Sequence, residues 1–164
     1  MAFQGQVLSV DEMLHHALAT PETPVGVGVG VLHTAADNAR DCRALLATTG
    51  SLDECWRFGI LQTVDDYTST VRRGGVGLGA EVFAEEPPPT GATRVDAAFA
   101  ALACYLARRD GWDVPAWADD PSRRLSEPWY PAVPAIFRDE ADRESPPAFR
   151  DRGVFITSRS LARA

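Results

Sequence analysis

A chain of 164 residues, 45% hydrophobic and 24% charged, has the size and balance of one globular domain and needs no staple to bury a core. A net charge of −7 excludes a phosphate backbone as the main partner, because affinity there rests on cationic neutralisation. MAFQGQVLSVDEML has no basic leader, no stretch approaches the roughly 20 apolar residues that span a bilayer, and Cys42, Cys55 and Cys104 are odd in number and far apart, so reduced thiols in the cytoplasm are expected.

In chain order, SVDEMLHHAL predicts a first helix, with Ser9 and Glu12 at capping-box spacing and Val10, Met13, Leu14, Ala17 and Leu18 on one stripe. Pro21 and Pro24 stop it before VGVGVGVL. A second helix follows, with Leu32, Ala35, Ala39, Cys42, Leu45 and Leu46 as its buried stripe and Gly50 as its stop. Ser51 and Glu54 cap a third, whose stripe is Leu52, Cys55, Trp56, Ile60, Val64, Tyr67 and Val71. RRGGVGLGAEVFAEEPPPTG then breaks the periodicity and reads as a mobile, irregular connection. TRVDAAFAALACYLARRDG is helical again, with Val95, Ala98, Phe99, Leu102 and Leu106 on one face and Gly111 at its end. The helices at 51–72 and 93–109 are expected to form the core. Beyond them, VPAIFRDEADRES predicts a short helix from Pro134, SPPAFRDRG another turn or two, and GVFI at most one short strand.

The fold class is therefore mainly α: about four longer helices and a proline-rich cap of short ones. The segments divide as 1–73, a Gly/Pro-rich connection over 74–91, and 92–164, within one compact domain.

Most chemical motifs fail on their spacing. Gly26, Gly28 and Gly30 follow a helix rather than a strand, and the third glycine falls one place early for a dinucleotide fingerprint. His15, His16 and His33 form no metal-ligand pattern with the cysteines, so no metal and no cofactor is expected. The pairs Asp65–Asp66, Asp119–Asp120 and Asp139–Glu140 read as solvated faces, and no catalytic residue emerges. A helix-turn-helix over DCRALLATTGSLDECWRFGIL would put Leu-Asp-Glu at the reading end, which DNA repels.

The remaining signal is PAWADDPSRRLSEPWYP. Its rings either clamp a long connection onto the helices or stay open beside arginine as a binding surface. We expect a mixture, with Trp117 as the anchor. The candidate partner-binding residues are Trp129, Tyr130, Arg123, Arg124, Arg150 and Arg152.

These residues, with SPPAFRDRGVFI and SRSL behind them, resemble a C-terminal module of actinobacterial proteins that has no assigned activity. The resemblance covers residues 87–164. Some proteins with that module carry a helix-turn-helix domain in front, and others lie beside nucleotidyltransferase-type toxin genes, as an antitoxin does. It implies a non-catalytic protein-binding or regulatory role, antitoxin-like within a two-gene module. The partner is then a protein, without nucleic acid or membrane, and a homo-oligomer remains open. The alternative is a small-molecule or enzymatic groove between the helices.

Overall fold

The computed structural model describes residues 30–162, so the predicted helix around Val10–Leu18, His15, His16 and most of the VGVGVG run lie outside the described residues. Helix α1 (Ala35–Thr49) starts at a reciprocal cap: the Asp37 N–H donates to the Thr34 hydroxyl and the Thr34 N–H to the Asp37 carboxylate. Gly50, left-handed at φ 67°, ends it as expected. Ala35, Ala39 and Cys42 are buried, but Leu32 is 78% exposed, because it precedes the cap and has no helical phase.

The third predicted helix is a composite. Four residues of α2 (Leu52–Cys55) lead into a π-helical turn, Trp56–Ile60, and then α3 (Leu61–Ala80). The Leu61 N–H donates back to the Trp56 carbonyl, five residues away. The wide turn keeps Cys55, Trp56, Gly59 and Ile60 all buried and leaves Phe58 51% exposed. Glycine is required inside it: a Cβ on Gly59 would stand 2.1 Å from the Cys42 sulfur.

Of the stretch expected to be irregular, the glycine-rich half stays helical to Phe83, while residues 84–91 are irregular as expected. Gly75, at φ 81°, kinks α3, which resumes to Ala80 and passes into a 3-10 turn at Glu81–Phe83. Burial is the reason. Val82 and Phe83 are fully enclosed, and a Cβ on Gly79 would meet Val71 at 2.4 Å, so only glycine lets this turn close onto α3.

Helix α4 (Thr93–Asp110) is the centre of the molecule and ends at Gly111 as expected. Sequence periodicity predicts one buried face, yet Val95, Ala97 through Cys104, Leu106 and Ala107 are all buried. Alanines on the second face admit neighbours closely: α1, α2 and the π turn pack on it, as do the later turns of the tail. Cys42, Cys55 and Cys104 are free thiols in this core, and burial pushes each thiol up from its ordinary value.

One polar link ties α3 to the end of α4. Tyr67 donates to Asp110 at 2.6 Å, Trp112 donates to the Tyr67 oxygen at 3.0 Å, and Arg109 forks onto Asp110 at 2.8 and 2.7 Å. Burial, then the Asp110 carboxylate, pushes the Tyr67 phenol up to about 12 from 10.0. The folded state therefore holds this proton where the unfolded state has lost it. Stability from this group is complete below pH 10 and falls as pH rises from 10 through about 12. Urea midpoints should show Tyr67→Phe less stable than wild type at pH 8 but losing less between pH 10 and 11.5. An equal alkaline loss in both proteins would assign the decline to other groups.

The tail wraps α4 through 3-10 turns at Ala116–Asp119 and Pro121–Arg123 and, after another at Ala135–Phe137, helices α5 (Arg138–Glu144) and α6 (Pro147–Arg150). GVFI supplies an isolated parallel bridge, Val154 against Trp129, rather than a strand. The Trp129 N–H donates to the Gly153 carbonyl and the Phe155 N–H to the Trp129 carbonyl, each at 2.8 Å. The described residues thus form the mainly-α fold read from the sequence, and none of their helices is long and apolar enough to cross a membrane.

Candidate functional site: a groove beside the pi-helical turn

The side chains expected to contact a partner are placed very differently from one another. Arg152 is 1% exposed and donates to the carbonyls of Ala118 and Ala148, the Cys104 sulfur and the Asp119 carboxylate. Arg123 is 5% exposed, bonds Glu86 and the Pro87 carbonyl, and lies over the Trp117 ring at 5.1 Å. Trp129 is 8% exposed and meets Trp56 edge-on at 6.1 Å. These three are interior groups that hold the tail down. Burial corrects the expectation that Trp129 shows a face and Trp117 is the deeper anchor. Trp117 is only half-buried, donating to the Phe83 carbonyl at 3.0 Å.

Tyr130 is half-buried, stacked on Phe155 and covered by Arg138, and its hydroxyl donates to Asp142 at 2.7 Å, which holds the phenol above its ordinary value. Arg124 and Arg150 are exposed. None of the six candidates lines the cavity beside the π turn.

The carboxylate pairs divide between separate tasks. Asp66 accepts from Asn38 at 2.8 Å and Gln62 at 3.1 Å in the seam between α1 and α3. Asp119 meets Arg152, while Asp120 accepts the Ser122 N–H and caps the turn at Pro121. Among the described residues no group of three or more His, Cys, Asp or Glu side chains gathers as a metal ion requires.

The open surface lies elsewhere. A cavity of about 610 Å³ is lined by Trp56, Arg57 and Phe58 of the π turn, Leu61 of α3 and Asp53 of α2. Ala132, Arg159, Ser160 and Ala162 from the tail form the other side. Ala132, Arg159 and Ser160 also line an adjoining cavity of about 160 Å³ with Val133, Pro134, Phe137, Glu140 and Thr157. The two make one groove. Phe58 also borders a shallower hollow against Leu45 of α1, so its ring stands as a ridge between apolar depressions. Phe137 is 44% and Ile136 82% exposed beside the second cavity.

Two unusual backbone conformations line this groove. One is the π turn. The other is Ala132, the single non-glycine residue with positive φ (51°) among the described residues. An L-residue there costs roughly 1–2 kcal/mol, and glycine would recover part of that at some cost in chain entropy. Ala132→Gly is therefore expected to raise the unfolding free energy by about 0.5–1 kcal/mol in urea titrations. A loss of that size would mean that the methyl group packs more strongly than the backbone strains.

Sequence reasoning passed over Phe58, Ala132, Phe137 and Arg159. For Phe58 a signal existed, since it falls off the apolar stripe of its helix. Ala132 and Arg159 carried none, as their positions depend on how the tail folds back. Compared with known proteins, the chain matches no family model, no curated protein and no solved structure.

Proposed function

We propose that this chain is a non-catalytic protein-binding or regulatory protein that receives a partner segment in the groove beside the π turn. One observation carries the reading: two costly backbone irregularities, the π turn and left-handed Ala132, line the same open groove. π turns gather at functional sites, and local strain persists where the surrounding structure imposes it and something is gained by it. Exposed aromatic rings flanked by arginine match the make-up of binding hot spots. The resemblance of residues 87–164 to a module found beside toxin genes supports an antitoxin-like form of this role, exercised in the cytoplasm.

The test is co-purification from the native host with the full chain as bait, against Phe58→Ala and Phe137→Ala. A stoichiometric protein partner, lost with Phe58→Ala while melting is unchanged, is the expected result. Identical capture by wild type and both variants would move the interface off the groove. The volume of the first cavity, within the range of ligand pockets, favours a small-molecule site as the second reading. A copurifying small molecule that raises the melting temperature, with no protein partner, would establish that reading instead.

A further inference from the structure

Charges along the groove follow an order. Asp53 and Arg57 line the first cavity only, Glu140 the second only, and Arg159 lines both. Arg159 is held at this junction by the turn 157–160. The Thr157 N–H donates to the Ser160 hydroxyl at 3.0 Å, and the Ser160 N–H returns to the Thr157 carbonyl at 3.0 Å. Its guanidinium makes no hydrogen bond or ion pair with another described residue. The nearby Glu144 carboxylate, which does feel its charge, is already taken by the Ser158 N–H at 3.0 Å. So a fork of donors that no other described residue pairs lies where the two cavities meet. Phe58 and Leu61 line the first cavity with Asp53 and Arg57, and Val133 and Phe137 line the second with Glu140.

We infer that the groove takes a peptide segment carrying one carboxylate between two apolar side chains, with a cationic residue beyond the one that enters the second cavity. The carboxylate meets Arg159, where a planar fork matches its two oxygens. The apolar side chains enter the two cavities, and the outer cation faces Glu140. A further acidic residue at the second cavity is disfavoured by Glu140. This inference rests on the protein-binding reading above and adds the chemistry of the partner.

The probe is acetyl-Lys-Phe-Asp-Leu-Lys-amide and its form with asparagine in place of aspartate, each titrated into the isotope-labelled full chain and followed by amide NMR shifts. Shifts should centre on Phe58, Ala132 and Phe137. The aspartate peptide should bind about tenfold more tightly than the asparagine peptide, as loss of a charge-assisted hydrogen bond implies. Arg159→Gln should abolish that difference and leave the asparagine peptide unaffected. Arg159 is exposed, so the variant should melt as wild type does. Equal binding of both peptides in the groove would overturn the carboxylate assignment and leave the protein-binding groove standing. So would a preference for aspartate that survives Arg159→Gln. Absence of groove shifts from either peptide at millimolar concentration would overturn the inference and the groove together. Groove shifts that appear on concentrating the chain alone, with dimer seen in sedimentation, would make a second copy the occupant and overturn it too.

Discussion

Arg152→Met is expected to lower the unfolding free energy by about 3–5 kcal/mol. The guanidinium is 1% exposed and reaches three separate pieces of structure. It donates to the Ala118 carbonyl at 2.7 and 3.2 Å, to the Ala148 carbonyl at 3.0 Å, and to the Cys104 sulfur of α4 at 2.8 Å. Methionine fills similar space but donates nothing, so two buried carbonyls lose their partner at about 1–3 kcal/mol each. Asp119 contributes little to the loss, because its side chain is 62% exposed and rehydrates. Arg152→Lys should cost nearly as much, since a point ammonium cannot reach all these acceptors at once. Denaturant midpoints for both variants test this. A neutral or stabilising Arg152→Met, as some buried charges give when exchanged for apolar groups, would show that the fork holds nothing.

The second large effect is expected at Trp129. Trp129→Ala should cost about 3–5 kcal/mol, in the range of other buried aromatic truncations. The ring is 8% exposed, edge-on to Trp56, and its backbone bridges to Gly153 and Phe155. Trp117→Ala should cost less, about 1–3 kcal/mol. That ring is half-buried, and its loss removes one hydrogen bond to Phe83 and a stacking surface for Arg123. Unfolding in urea, followed by far-ultraviolet circular dichroism, measures both. A Trp129→Ala loss below that of Trp117→Ala would restore the opposite ranking, which sequence reasoning favours. Pro128 and Pro131 hold Trp129 and Tyr130 extended, and from sequence alone an extended segment reads as open to solvent. The prolines do extend the chain, but they deliver it alongside Val154, where the ring meets the core.

By itself the sequence determined the helical elements that its own periodicity and punctuation specify. Gly50 and Gly111 end helices at positive φ, Ser51 caps α2, and the apolar stripes at 51–72 and 93–109 supply Trp56, Ile60, Phe99, Leu102 and Leu106 to the core. Each of these depends on neighbours within about one helical turn, so local residues suffice to state them. What only the tertiary structure decided lies in contacts between segments far apart in the chain. The glycine-rich stretch stays helical because Val82 and Phe83 have a core to enter, and the second face of α4 is buried because the tail returns over it. The two tail arginines that look most like a binding surface are interior, because their acceptors are carbonyls that only the folded tail presents. The groove is made by Phe58, thrown outward by a π turn, meeting Ala132 and Arg159 from 74 and 101 positions further along the chain. No period in a sequence registers a meeting of that kind, because helical phase relates a residue to its neighbours along one axis, while such a site is fixed by how separate axes pack.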